Sequence, residues 1–205
     1  MRKIGIAVLV SGGGTNLQAL IDSIQKGEIN GEIVIVISDR ENAYALERAR
    51  KHGIKSVYIH RNNCTENLIS ELKEANAGLV VLAGFLSILD RELIKAYEGR
   101  IINIHPSLIP AFCGKGFYGE RVHKAAVEYG VKISGATAHF VDEGTDSGPV
   151  ILQETVPVYA DDTAETLAAR VLKVEHRLLP EAVGLFCEGR LRIEGRKVII
   201  AEKEV

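Results

Sequence analysis

Short apolar runs rich in β-branched residues alternate with helix-spaced ones through the first hundred residues. Residues 4–10, 33–37, 57–59, 79–83 and 101–104 are continuous hydrophobic runs, the pattern of strands buried on both faces. Between them, apolar positions recur at helical spacing over residues 17–26, 43–52, 66–74 and 91–97. Asn16 and Asp90 stand where they can cap the first and fourth helices, and Gly27, Gly53 and Gly99 follow last turns, where a left-handed residue ends a helix. Strand and helix therefore alternate, which predicts an α/β fold with a doubly wound, mostly parallel twisted sheet.

Beyond residue 105 the rhythm changes. Residues 106–119 carry Gly114, Gly116 and Gly119 without periodicity and predict a long loop, a feature that in compact domains usually serves function. A helix is expected over 121–129. Residues 134–141 and 150–158 read as strands, and their short connection makes them antiparallel, so the C-terminal part of the sheet is expected to be antiparallel. Asp161 or Asp162 is placed to cap a long helix over 163–185, with Pro180 expected to kink it, and residues 191–200 read as a hairpin turning at Gly195. No repeat, low-complexity tract or linker divides the chain, which reads as a single domain over residues 1–205.

Composition narrows the class. Of 205 residues, 46% are hydrophobic and 25% charged, enough apolar material for a sizeable core, which excludes disorder and fibrous repeats. The 25 basic and 27 acidic side chains leave a net charge of −2 with no block of one sign, so neither nucleic acid nor an anionic membrane is expected as partner and small molecules are. The longest apolar stretch, 79–89, is broken by Gly84 and Ser87 and falls short of the roughly 20 residues a membrane span needs. Cys64, Cys113 and Cys187 are odd in number and widely spaced, supporting neither a disulfide framework nor a zinc cluster. A cytoplasmic protein is expected.

In open α/β sheets, ligands bind beyond the carboxyl ends of the strands, which directs attention to loops 11–16, 83–89, 103–119 and 141–148. In Ser11-Gly-Gly-Gly-Thr-Asn16, glycines let the backbone approach an anion, and the helix start supplies free N–H groups; a phosphate fits, with a plain tight turn as the alternative. Leu17 takes the third-glycine place of a dinucleotide fingerprint, which leaves a single phosphate or a mononucleotide. Strand alternation puts Asn103 and His105 on one side, and an amide beside an imidazole suits a reaction through a tetrahedral oxyanion, although both could be structural. Asp142, Glu143 and Asp146 follow in a turn-rich loop, either as solvated turn residues or with one of them orienting His105. His139 is a further candidate, or a packed core residue. His52, His60, His123 and His176 read as surface or structural. No motif for zinc or serine hydrolysis is present, and no metal is expected.

These loops together resemble a known family. Asn103-Ile-His105-Pro106-Ser107-Leu-Ile-Pro110, with His139-Phe-Val141 and Asp146-Ser-Gly148-Pro149, is similar to the signature of the folate-dependent formyltransferases. The run from Ser11 to Ala19 and Leu82-Ala-Gly-Phe85 narrow the resemblance to the phosphoribosylglycinamide formyltransferases of purine biosynthesis, over about residues 3–190. The resemblance implies a formyltransferase fold, with a nucleotide-binding half over 1–100 and a catalytic and folate-binding half over 101–205. It implies Asn103, His105 and Asp146 as catalytic residues, Gly14, Thr15 and Asn16 around the phosphate of glycinamide ribonucleotide, and Glu175 on its ribose. The main chain near Pro106 would orient the substrate amine. The folate of 10-formyltetrahydrofolate, the formyl donor, would lie on Leu86, Ile88, Leu89, Val141, Asp142, Glu143 and Gly144. The chain is expected to act without metal, as a monomer or homodimer. Ser87 stands where many relatives carry Arg, and the Gly114 to Gly119 loop follows a longer variant. Hydrolysis of the same folate, by relatives with the same Asn, His and Asp, is the nearest rival activity.

Overall fold

The computed structural model describes residues 3–60 and 64–202. In chain order the elements are β1 (Ile4–Val10), α1 (Thr15–Gln25), β2 (Gly31–Ser38), α2 (Tyr44–Lys51), β3 (Ser56–Tyr58), α3 (Cys64–Glu74), β4 (Leu79–Leu82), α4 (Arg91–Ala96) and β5 (Ile101–His105). There follow α5 (Glu120–Tyr129), β6 (Ile133–Phe140), β7 (Val150–Pro157), α6 (Ala164–Cys187), β8 (Leu191–Glu194) and β9 (Lys197–Ile200). The strands form one sheet in the order β3-β2-β1-β4-β5-β6-β7-β9-β8. From β3 to β5 all pairings are parallel, β6 runs antiparallel to β5 and β7, and the β8–β9 hairpin joins through Val150 and Lys197. The doubly wound, mostly parallel sheet with an antiparallel C-terminal part is as the alternation predicts.

Side-chain alternation explains why the central strands are apolar throughout. Ile6, Val8 and Val10 of β1 pack into one core with Leu17 and Leu20 of α1 and Leu167 and Val171 of α6, while Ala7 and Leu9 face a second core with Leu68 and Leu72 of α3 and Leu93 of α4. A strand covered on both faces has no polar side, and each fully buried aliphatic side chain contributes roughly 1.5–3 kcal/mol. The chain leaves β1 toward β2 on one side and returns to β4 on the other, so the loops after β1 and β4 flank the crevice where strand order reverses. In β5, Ile102 and Ile104 enter the first core, which turns Asn103 and His105 to the opposite face.

Helix ends differ from expectation in three places. Asn16 does not cap α1; the N-cap is Gly14, left-handed at φ 71°, and Asn16 lies in the first turn with its side chain drawn inward. Asp90 is the N-cap residue of α4, but its carboxylate accepts from the Thr65 hydroxyl instead of capping. Neither Asp161 nor Asp162 caps α6: Thr163 does, in a reciprocal capping box with Thr166, and Asp162 accepts from both terminal nitrogens of Arg170 at 2.7 and 2.9 Å. A bidentate guanidinium outcompetes a helix end for a carboxylate. The α6 helix runs as one element through Pro180. Gly27, Gly53 and Gly99 are left-handed stops as expected.

The α5 helix carries His123 inward, where it is 5% exposed and its Nδ1 has no hydrogen-bond partner. Burial, reinforced by nearby His105, lowers its pKa from 6.5 to about 4. An imidazole that resists protonation when folded contributes stability in full above the unfolded pKa of 6.5, and that contribution is lost as pH falls toward about 4. Urea unfolding at stepped pH is therefore expected to show stability declining through this window, with a flatter decline in His123→Gln. An unchanged slope in the variant would assign the loss to other groups.

Candidate active site

A cavity of about 740 Å³ opens along the crevice. Asn103, His105 and Asp146 share its wall, although Asp146 lies on a loop 41 residues beyond His105 in the chain. That loop, after β6, folds back across β5: Phe140 N–H donates to the Pro149 carbonyl at 2.9 Å, and Val141 N–H to that of Ile101 at 3.0 Å. Gly148 makes the return possible, since a Cβ there would stand 1.8 Å from the Phe140 carbonyl oxygen. Asp146 takes a left-handed backbone, φ 54°, at the tip.

The polar groups form an ordered chain. His139, 1% exposed, donates from Nδ1 to the Phe140 carbonyl at 2.8 Å, and burial pushes its pKa below the usual value. Its neutral Nε2 therefore accepts, and Asn103 Nδ2 donates to it at 3.0 Å. His139, weighed in the sequence as a catalytic candidate or core residue, is thus the partner that sets the Asn103 amide. His105 donates from Nε2 to the Phe112 carbonyl at 3.0 Å, because a carbonyl only accepts. Its Nδ1 lies 3.6 Å from Asp146 Oδ2, beyond hydrogen-bond range, and is the ring nitrogen left for a ligand. Asp146 Oδ2 accepts from Gly114 N–H at 2.9 Å.

A second cluster stands at Asn16 and Glu175. Asn16 Nδ2 donates to Glu175 Oε2 at 2.7 Å, while Asn16 Oδ1 is buried without a partner. Burial pushes the Glu175 carboxyl upward, and the Asn16 hydrogen bond offsets this in part. An orphaned buried carbonyl oxygen beside a desolvated carboxyl is a site built for ligand hydroxyl donors. Beside it, Gly14 and Thr15 stand outside the main cavity. A Cβ on Gly14 would come within 2.6 Å of Ala45 Cβ, so this glycine lets α1 and α2 approach, whereas Gly12 and Gly13 have open space at that position. Thr15 lines an adjoining pocket of about 390 Å³ with Gln18, Arg48 and His176.

The remaining wall is apolar. Leu86 and Ile88 are 41% and 80% exposed, with Leu89 and Val141 beside them in the cavity lining, a ledge suited to a flat apolar ligand. The ledge is held in place because Leu86 N–H donates to Ser11 Oγ at 2.8 Å and Ser87 Oγ to Asp39 Oδ2 at 2.6 Å. Asp142 Oδ1 accepts from Ser147 Oγ and Gly144 N–H, bracing the facing loop, and Glu143 is engaged by Arg91 at 2.7 Å. Pro106 and Gly144 complete the sequence-predicted set in the lining. The structure adds His123, which the sequence suggested was surface or structural; its place in the second turn after a glycine loop was the available signal. Among the described residues no group of three or more His, Cys, Asp or Glu is arranged to hold a metal ion, and no helix is long and apolar enough to cross a membrane.

Known proteins resemble this chain in sequence and in fold. The formyl transferase family matches residues 4–183. The chloroplastic phosphoribosylglycinamide formyltransferase of Vigna unguiculata is 41% identical over 199 residues, covering 93% of this chain, which spans only 63% of that protein's length. The Escherichia coli phosphoribosylglycinamide formyltransferase is 40% identical over 93% of this chain and 90% of its own. A crystal structure of glycinamide ribonucleotide transformylase 1 from Symbiobacterium toebii superimposes with a TM-score of 0.93 at 46% identity, covering 98% of this chain and 95% of that one. With the family signature extending over nearly all of the sheet and every wall of the cavity, this chain belongs to the formyl transferase family.

Proposed function

We propose that the chain transfers the formyl group of 10-formyltetrahydrofolate to the primary amine of glycinamide ribonucleotide, in purine biosynthesis. The observation that carries this reading is the meeting of Asn103, His105 and Asp146 in one cavity with an apolar ledge on one side and the Asn16–Glu175 pair on another. The ledge suits the flat pterin, and Asn16 Oδ1 and Glu175 suit ribose hydroxyls. The start of α1, with Thr15 and Arg48 nearby, suits the phosphate. The names of the relatives support the same substrates. Three widely spaced cysteines accord with a reducing, cytoplasmic setting.

In this mechanism the amine nitrogen attacks the formyl carbon and the carbonyl oxygen gains negative charge. Asn103, its amide set by His139, donates to that oxygen, and protonated His105, which as an imidazolium carries a second hydrogen on Nδ1, donates to it from there. As the tetrahedral species collapses, the bond from carbon to the folate nitrogen breaks. The attacking amine gives up a proton and the departing nitrogen takes one, with Asp146 and His105 moving it between them. Positioned donors and a bound nucleophile supply the barrier reduction through preorganisation.

Formyl loss from 10-formyltetrahydrofolate is expected to require the ribonucleotide; formate release at equal rates with and without it would favour the hydrolytic reading. His105→Ala and Asp146→Asn are each expected to lower kcat by roughly a thousandfold, with the double variant far less than multiplicatively worse, because the two act as a unit. Asn103→Ala, removing one oxyanion donor, is expected to lower kcat by about a hundredfold. Near-normal turnover in a folded Asp146→Asn protein would move the role to Asp142 or Glu143. The glycines separate binding from folding: Gly13→Val, with open space at its Cβ, is expected to raise KM for the ribonucleotide alone, whereas Gly14→Ala meets Ala45 and is expected to cost about 1–3 kcal/mol of stability. Calorimetry beside steady-state kinetics distinguishes them.

A further inference from the structure

Three aromatic rings meet beside the cavity wall. Phe112 packs edge-to-face on Phe117 and on Tyr129, with ring centroids 6.3 and 6.0 Å apart. Tyr129 is the last residue of α5, is 80% exposed and lines no part of the cavity. The Phe112 backbone is left-handed at φ 50°, a conformation that a residue with a side chain rarely adopts and that persists only where its surroundings hold it. Its surroundings are these rings and the first hydrophobic core, against which Phe112 also packs. Gly114, Gly116 and Gly119, at φ 87°, 94° and 52°, let the loop turn back so that Phe117 reaches Phe112.

What the strained residue presents is its carbonyl, which accepts from His105 Nε2 at 3.0 Å and from Ser107 Oγ at 3.3 Å. Two residues on, Gly114 N–H holds Asp146 Oδ2 at 2.9 Å. One three-residue stretch therefore grips both His105 and Asp146, which at 3.6 Å do not bond each other directly. Resting on the transfer reaction proposed above, we infer that Phe112 is a positioning residue: its ring, propped by Tyr129 from outside the site, holds the carbonyl that keeps a hydrogen on His105 Nε2 and leaves Nδ1 to work beside Asp146. The long glycine loop thereby has a role as the backing of this clamp.

The test compares Tyr129→Ala, Phe112→Ala and Phe112→Tyr in the full chain. Misplacing a reacting group by about 1 Å can cost a hundredfold, so Phe112→Ala is expected to lower kcat by about that factor and Tyr129→Ala by roughly fivefold or more, with KM for both substrates within about twofold of the parent. Phe112→Tyr keeps the ring and is expected to restore kcat. Nitrogen-15 NMR of the ligand-free chain, recorded with His105 neutral, is expected to show the hydrogen on Nε2 in the parent and an Nε2/Nδ1 mixture in both alanine variants. Because Tyr129 is exposed, its truncation leaves the fold intact and decides the matter should Phe112→Ala fail to fold. Unchanged kcat and tautomer in Tyr129→Ala would overturn the inference, as would a kcat loss matched by weaker binding of both substrates. The NMR readout needs no turnover, so it separates failure of this inference from failure of the proposed reaction, which would show as a parent chain without ribonucleotide-dependent transfer.

Discussion

The two-residue period of β5 is the constraint on which the site depends. Ile102 and Ile104 must enter the core packed under α6, because a strand in the middle of a nine-stranded sheet has no solvent-facing side to offer them. Once they do, Asn103 and His105 point to the other face at the end where the parallel part of the sheet meets its antiparallel part. A slip of one residue would bury the amide and imidazole in hydrocarbon and expel two isoleucines. Aliphatic burial, whose energy is large and undirected, thus positions groups whose own hydrogen bonds are few and directed.

Around that strand, each reactive group is held by a partner that takes no part in the proposed chemistry. His139 is neutral because it is buried, and only a neutral imidazole can accept from the Asn103 amide. The Phe112 carbonyl and the Gly114 amide perform the same service for His105 and Asp146. Backbone groups suit the task, since they carry no charge to compete with the reaction and are fixed by the packing of the chain on either side.

The cavity walls divide labour by polarity. Leu86 and Ile88 remain exposed on a loop pinned by the hydroxyls of Ser11 and Ser87, so the apolar ledge cannot collapse into the core. Opposite in character, Asn16 and Glu175 are buried polar groups joined to each other and short of one donor. An apolar surface left in water and a polar atom left out of it are both costly to an empty protein, and the two substrates proposed above, one with a flat ring and one with ribose hydroxyls, each relieve one of them.

Periodicity alone determined the α/β class, the parallel direction of the first five strands and the shared side of Asn103 and His105, since these follow from local patterns of burial that repeat every two or 3.6 residues. The loops after β1, β4 and β5 could be singled out because a parallel sheet puts its ligands at one end. What sequence could not supply was competition between partners distant along the chain. Asn16 left the helix cap for Glu175, Asp162 left it for Arg170, and Gly14 proved to accommodate Ala45. His123 and Phe112 carried no periodic signal for the site, because their roles arise from burial against residues of other elements and from a backbone conformation set by ring packing. Local pattern specifies which way a side chain faces; only the folded chain decides what it meets there.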